Sequence, residues 1–455
     1  MSSIVLAEEI LDLLVDILGS EYTLTSPSSL PLGPKELGTV RALGSLSLAS
    51  RRLASRCRVH RFWKLTFHAD TWPGLTAPPP YREDAIQRTV TLFRDNPRLF
   101  WYVRDIDVVF RREGGDPFHF LQSLHSFLPN VHNVDTMALR VPGSPRRWSE
   151  FDKLTQAALL QCINQNPLAR MLRVDGIRLP ENILKILPSS LGGLRLHGSG
   201  GIDAPISQCP ILAPETKCRP EELQISISDP FTRIMMEQEP SFFSRLARLD
   251  VFIHGDSVNL PTFHRLLCDP HLLVTTNVHT LDLSYHGSDD AVGFQELLLG
   301  ETRFRLMPSV TDLTVSVSLL RRSGEQVCPS LASRIILAHL VPAFASIQFL
   351  GIQISWSVLQ GVEGNHDAKM IDGDRDGFKE ADYILSEGKI LPELNHVAIE
   401  VNFSDHGLSD EAGPRVDIAG GGGREFQGRL LEEIRIVFQE TSRNIKQFTI
   451  NGILQ

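Results

Sequence analysis

Residues 280–285 read TLDLSY, a stretch in which Leu281, Leu283 and Tyr285 alternate with polar residues. Such alternation predicts a half-buried β-strand, because successive side chains of a strand point to opposite faces. The same apolar–x–apolar signature returns along most of the chain. Its further copies are DIDVVF around Ile106, MLRVDGIRL around Leu172, GLRLHG around Leu194, ELQISIS around Leu223, RLDVFI around Leu249, DLTVSVS around Leu313, SIQFLGIQI around Ile347, HVAIEV around Val397 and QFTING around Phe448.

The spacing of these strand signatures predicts a repeat architecture. From Leu172 to Ile347 the central apolar residues lie 22 to 34 residues apart. Amphipathic helical runs stand between some of them, such as EFDKLTQAALLQCINQ at 150–165 and ENILKILP at 181–188. A short strand, a loop and a helix at this period are typical of a leucine-rich-repeat type solenoid.

Stacked repeats bury the strand faces that a single repeat leaves open. We therefore expect an α/β fold in which an irregular leucine-rich-repeat-like solenoid carries a parallel sheet with helices behind it. The alternative is an ordinary doubly wound α/β domain, whose buried strands usually have longer apolar runs than these. Two loop-like stretches interrupt the period, and we interpret them as insertions at about 361–392 and about 403–424.

The first 70 residues have a different sequence pattern, which predicts helices. The opening run IVLAEEILDLLVDILG places Leu6, Ile10, Leu14 and Leu18 at i, i+4 spacing on one helix face, with Leu13 and Ile17 beside them. A polar, proline-bearing stretch at about 19–38 is expected to form a loop. The next stretch, RALGSLSLASRRLASRCRVHRFWKLTF at 41–67, has seven Lys and Arg residues, no acidic residue, and apolar residues at helical intervals. The run TWPGLTAPPPY then indicates a stiff linker at 71–83, because three consecutive prolines cannot continue a helix.

Two motifs in this helical region resemble the F-box, the small module that binds the Skp-type adaptor of cullin–RING ubiquitin ligases. The F-box opens with Leu-Pro-x-Glu-Ile-Leu, and this chain has LAEEIL at 6–11, followed by apolar Leu14 and Leu18. The later part of the F-box is similar to LSLASRRLASRCRVHRFWKLTF at 46–67. Two positions differ from the family pattern: Ala7 replaces its proline, and Leu53 replaces its tryptophan. The layout looks especially like the large F-box families of mushroom-forming fungi.

The resemblance implies a domain plan and a function. An F-box-like helical module would span 1–70, and the leucine-rich-repeat-like solenoid would span 84–455. The chain would then be the substrate-recognition subunit of a Skp–cullin–F-box ubiquitin ligase, with an unknown protein as its target. The alternative is a ligase-independent protein-interaction scaffold whose helices only cap the first repeat.

The same resemblance gives candidate residues for adaptor binding. The apolar candidates are Leu6, Ile10, Leu14, Leu46 and Leu48. The solvated or acid-facing side would consist of the basic residues Arg51, Arg52, Arg56, Arg58, Arg61 and Lys64. The alternative for each apolar candidate is that it only closes the core of the helical module.

Composition restricts the other classes of function. The formal charge of −9 over 455 residues makes nucleic acid and anionic membrane poor partners. The apolar start contains Glu8, Glu9, Asp12 and Asp16, unlike a signal sequence, so we expect a cytoplasmic or nuclear protein. The six cysteines are scattered without a CxxC, which favours reduced, buried thiols.

No catalytic constellation stands out, so we expect neither an enzyme nor a bound cofactor. A GxSxG nucleophile elbow and an HExxH motif are both missing from the sequence. Asp372, Asp374, Asp376 and Gly377 match four positions of an EF-hand calcium loop, but Tyr383 replaces the bidentate glutamate at its twelfth position. We interpret that stretch as a solvated acidic loop.

Overall fold

The computed structural model of the chain divides into two units, Met1–Cys218 and Arg219–Gln455. The residues it describes are 12–18, 34–49, 51–68, 82–110, 124–141, 145–166, 168–185, 187–197, 203, 218–226, 230–238, 240–254, 262, 265–266, 277–288, 309–321, 346–358, 379, 382–383, 385–386, 391–404, 432, 435 and 438–454.

The first unit contains a parallel sheet in which each strand pairs with the next one along the chain. Its strands are β1 (Lys64–His68), β2 (Asp105–Val109), β3 (Thr136–Arg140), β5 (Met171–Asp175) and β7 (Gly193–His197), and the two-residue strands β4 (Arg146–Arg147) and β6 (Ile177–Arg178) pair separately. The central residues stand side by side in the register Leu65, Ile106, Met137, Leu172, Leu194.

The second unit contains a longer parallel sheet with the same sequential pairing. Its strands are β8 (Glu222–Ser226), β9 (Arg248–His254), β10 (Thr280–Ser288), β11 (Asp312–Arg321), β12 (Phe349–Val358), β13 (His396–Ser404) and β14 (Gln447–Leu454). Their central residues follow the register Leu223, Leu249, Leu281, Leu313, Leu350, Val397, Phe448.

Helices and short 3-10 turns occupy part of the chain between these strands. In the first unit residues 12–18 are helical, and they are followed by α1 (Pro34–Ala49), α2 (Arg51–Phe62), α3 (Arg82–Asp95) and α4 (Lys153–Gln165). The second unit has α5 (Pro230–Gln238) and α6 (Gln439–Asn444). The 3-10 turns are Pro97–Tyr102, Leu128–Asn130, Trp148–Glu150, Ile183–Lys185 and Pro240–Arg245.

A common backbone pattern precedes the strands. At β10 the buried Val278 precedes the strand and lies three residues before the buried Leu281, and Leu283 is buried two residues after Leu281. The carbonyl of Ala247 accepts hydrogen bonds from the N–H groups of His279 (2.9 Å) and Thr280 (3.1 Å). Equivalent double acceptors are the carbonyls of Trp63, Arg104, Asp135, Glu221, His279, Thr311 and Gln348. Each such pair of bonds joins the start of one strand to the start of the next and fixes the register.

The core lies on the inward face of the strands, with a polar anchor and an aromatic cluster in the first unit. The Asn166 side chain is buried and joins the end of α4 to the segment before β3. Its Oδ1 accepts from the Val134 N–H at 2.8 Å, and its Nδ2 donates to the Val131 carbonyl at 2.9 Å. Edge-on ring contacts connect Phe93 to Phe127, with ring centroids 5.2 Å apart.

The α/β class with a large parallel sheet is confirmed, and two strand predictions need correction. The predicted centre Ile347 lies before β12, whose register residue is Leu350. Both side chains are fully buried, and the alternation in SIQFLGIQI fits either frame. The second correction is β3 at Thr136–Arg140, which the predicted strand set omitted.

The predicted boundaries also change. Strand β1 at Lys64–His68 falls inside the 1–70 region predicted as helical, and its pairing with β2 makes it part of the sheet. Helix α1 begins at Pro34, inside the predicted 19–38 loop, and α3 begins at Arg82, inside the predicted 71–83 linker.

The remaining predicted segments fall largely outside the described residues. This applies to most of the predicted insertions, although β13 continues to Ser404. The described helices include none with the length and apolarity needed to cross a bilayer.

Candidate functional site

The N-terminal helices form a small core of their own. Val15, Leu43, Leu53 and Cys57 are all buried against one another, and Leu18 and Leu46 pack at the edge of this cluster. The cluster joins helical residues 12–18 to both α1 and α2. Because these side chains cover one another, the helices do not need the sheet to bury this face.

Charged side chains hold the first helix against α2. Arg56 Nε donates to Asp16 Oδ1 at 2.8 Å, and Arg56 Nη1 donates to Asp12 Oδ2 at 3.0 Å. His60 Nε2 lies 3.0 Å from Asp16 Oδ1. The hydrogen bonds from Arg56 and then His60 hold the pKa of Asp16 well below its ordinary value of 3.8. The acidic residues of the opening helix therefore bind the basic run of α2.

Other apolar side chains of the same helices face solvent. We call Leu13, Leu14, Ile17 and Leu48 the exposed apolar set; their exposed fractions are 58%, 45%, 47% and 89%. Three members lie on the seven helical residues 12–18. A helix that leaves three large apolar side chains largely exposed while burying Val15 has a second apolar face in contact with solvent.

The predicted adaptor residues divide into three groups. Leu14 and Leu48 are exposed, whereas Leu46 packs at the edge of the helical core. Leu6 and Ile10 lie outside the described residues. Leu13 and Ile17, which were predicted only as neighbours of this face, belong to the exposed apolar set. The i, i+4 spacing of Leu13 and Ile17 was the sequence signal that could have identified them.

The predicted basic side is only partly exposed to solvent. Arg51, Arg58 and Arg61 are exposed, and Arg56 is paired with two aspartates. Lys64 lies on β1 rather than on a helix. The side chain of Arg52 lies outside the described part.

A second candidate site lies on the outward face of the strands in each unit, where polar residues alternate with the buried ones. In the second unit Asp250 of β9 stands beside Asp282 of β10, and Arg248 contacts both carboxylates. Burial, together with a hydrogen bond to Asp282, raises the pKa of Asp250 to about 6. One row further, Ser316 Oγ donates to Gln353 Oε1 at 2.8 Å. Carboxylate, guanidinium, hydroxyl and amide groups of this kind can form hydrogen bonds with polar side chains.

The outward face of the first unit has a higher proportion of charged residues. Arg140 of β3 binds Asp107 of β2, and its Nε donates to Asp107 Oδ1 at 2.9 Å. Burial raises the pKa of Asp105 and of Asp175 on the same face. An ion pair and two partly desolvated carboxylates lie on this face, and full burial of such groups is unfavourable unless a partner supplies matching polar or charged groups.

The described residues include no candidate metal-binding cluster and no exposed cysteine. They include no group of three or more His, Cys, Asp or Glu side chains arranged to hold a metal ion. The cysteines among them, Cys57, Cys162 and Cys218, are buried and form no disulfide. Burial raises the pKa of Cys162 and Cys218 to about 12, so neither forms a reactive thiolate at neutral pH. The predicted acidic loop at 372–377 lies outside the described residues.

The chain matches no protein-family model, and no curated protein matches it in sequence.

Proposed function

We propose that this chain is the substrate-recognition subunit of a Skp–cullin–F-box ubiquitin ligase that works in the cytoplasm or nucleus. Its N-terminal helices would bind the Skp-type adaptor, and the outward face of its sheets would bind the target protein. The observation that carries the proposal is the solvent exposure of the exposed apolar set, although the helices close a core of their own.

Burial of this surface would supply part of the free energy of adaptor binding. Full burial of a leucine or isoleucine side chain stabilises a complex by roughly 1.5–3 kcal/mol. Leu48 is almost completely exposed, and the other three members are about half exposed. Complete burial of the set would then contribute on the order of 5 kcal/mol before the unfavourable terms of association.

The repeat architecture supports the second half of the proposal. The spacing of Val278, Leu281 and Leu283 follows the L-x-x-L-x-L frame of leucine-rich repeats. The double carbonyl acceptors recur at the start of successive strands, as expected for stacked repeats. We interpret the strands as rungs of a leucine-rich-repeat-like solenoid, whose outward side chains are available for recognition.

One observation favours a ligase-independent scaffold as the second candidate. Phe62, the last residue of α2, packs edge-on against Phe93 of α3 with ring centroids 5.6 Å apart. Trp63 then accepts hydrogen bonds from the start of β2. The helices are thus attached to the edge of the sheet, where they would protect β1 even without an adaptor.

Binding to a purified Skp-type adaptor separates the two candidates. We expect the full chain to bind the adaptor at micromolar concentration or below in biolayer interferometry, and Leu48→Glu or Leu14→Glu to weaken binding by at least tenfold. Leu168→Glu is the matched control, because Leu168 is 80% exposed and lies outside the helices. Equal binding of the adaptor by all three variants, or no binding by the unmodified chain, would favour the ligase-independent scaffold.

A further inference from the structure

The outward face of the first unit contains two arginines that stand directly beside each other. Arg173 of β5 and Arg195 of β7 are register partners in adjacent parallel strands. Their side chains therefore leave the sheet on the same face, and like charges at such positions repel each other. Both side chains are partly buried, so solvent screens this repulsion less than at an open surface.

Within the described part of the chain, neither guanidinium has a carboxylate within ion-pair distance. Arg140, by contrast, is neutralised by Asp107 on the same face. The Nε of Arg173 is buried and has no hydrogen-bond partner among the described residues. Burial and the charge of Arg195 lower the pKa of Arg173. The carboxylates of Asp105 and Asp175 act on the pKa of Arg173 in the opposite direction, so they offset the repulsion only in part, and Nε stays without a hydrogen-bond partner among the described residues.

The charges around the two arginines favour one class of anion. Ala138, the register neighbour of Arg173 on β3, presents only a methyl group, whereas the Met171 side chain occupies the space above Gly193. The charged or titratable groups among the described side chains of this face are Lys64, Asp105, Asp107, Arg140, Arg173, Asp175, Arg195 and His197. Three nearby aspartates repel a phosphate, with its charge close to −2, more strongly than a carboxylate with its charge of −1.

We propose that Arg173 and Arg195 bind a glutamate or aspartate side chain of an acidic peptide segment on a partner protein. The planar fork of each guanidinium matches a carboxylate, and an incoming carboxylate would offset the repulsion between the two like charges. This inference deepens the proposed function, since it takes the sheet face as the target-binding surface. It does not depend on the adaptor for its measurement.

The test uses the full chain and a fluorescein-labelled peptide of twelve alternating Glu and Ser residues. We expect fluorescence anisotropy to show binding that weakens as NaCl is raised from about 50 to about 300 mM, and much weaker binding of the matching Gln–Ser peptide. Arg173→Gln and Arg195→Gln should each weaken binding at least tenfold. Arg98→Gln, which removes an exposed arginine on the Pro97–Tyr102 turn, should change it less than twofold.

A melting curve without peptide separates a binding role from a structural one. Because Arg195→Gln removes the repulsion, we expect this variant to melt at the same temperature as the unmodified chain or a few degrees above it. Loss of binding together with a lower melting temperature would overturn the inference. So would equal binding of the Gln–Ser peptide, undiminished binding by both sheet variants, or tighter binding of a phosphoserine–Ser peptide.

Failure of this inference can be told apart from failure of the proposed function. If the chain binds the adaptor but not the Glu–Ser peptide, only the acidic-segment inference is wrong. If the chain binds the Glu–Ser peptide through Arg173 and Arg195 but not the adaptor, only the ligase assignment is wrong.

Discussion

Replacing Asn166 by alanine removes a buried group that three backbone positions depend on. Its Oδ1 accepts from the Val134 N–H at 2.8 Å, and its Nδ2 donates to the Val131 and Cys162 carbonyls at 2.9 and 2.7 Å. A net value of about 1 kcal/mol for each bond predicts a loss of about 3 kcal/mol in the free energy of unfolding. The real loss should not be smaller, because the Val134 N–H is left buried without an acceptor.

Urea denaturation followed by circular dichroism measures this loss. For a unit of this size, m is roughly 2–3 kcal/mol per M, so a loss of about 3 kcal/mol shifts the unfolding midpoint of the first unit by about 1 M. The matched control is Asn130→Ala, because Asn130 is exposed and donates one hydrogen bond, to the Ser126 carbonyl. A midpoint shift for Asn166→Ala no larger than that of the control would refute the role assigned to this side chain.

Three further predictions concern stability. Gly176 has φ +65°, and a Cβ there would lie 2.2 Å from the Val141 carbonyl oxygen. In urea denaturation Gly176→Ala should therefore destabilise the chain by more than about 1 kcal/mol. Its control, Gly38→Ala on the open face of α1, should stabilise the chain by up to about 1 kcal/mol. Asp16→Asn should lower the melting temperature at pH 6, and high salt should make this difference smaller. The difference should also decrease below about pH 4, because a carboxyl with a lowered pKa stabilises the folded chain only at pH values where it is charged. Asp250→Asn should stabilise the chain by on the order of 2 kcal/mol at pH 8 and by almost nothing at pH 4. The reason is that the pKa of Asp250 is raised to about 6, so its charged form destabilises the folded chain once the pH rises through that value. Equal shifts in melting temperature at both pH values would contradict this prediction.

The sheet was largely predictable from sequence because strand alternation is a local property. The apolar residues around Leu281 and Leu313 were placed correctly, and they are direct register partners in the structure. The strand prediction failed where apolar and polar residues do not alternate clearly. In TMALR at 136–140 three consecutive apolar residues hide the strand β3. In KLTFH at 64–68 the strand continues a basic run that has helical spacing.

The candidate sites were less predictable because they depend on pairings between distant residues. Arg173 and Arg195 are 22 positions apart in the sequence, and only the register of β5 and β7 brings them together. Asn166 looks like any other asparagine at the end of a helix until the segment at 131–134 is placed against it. In each case the sequence supplies the residue type and the fold supplies its partner.

Exposure alone does not distinguish the N-terminal leucines from others in the chain. Leu154 and Leu168 are 68% and 80% exposed, and isolated exposed leucines are normal on protein surfaces. The N-terminal residues differ in how closely the exposed apolar side chains follow one another. Three of the seven helical residues at 12–18 are large, apolar and exposed, although the opposite face of the same helix is already buried. A helix that only capped the sheet would need one apolar face. The second apolar face therefore supports an external partner more strongly than any single side chain does, and the comparison of Leu14→Glu with Leu168→Glu tests that argument directly.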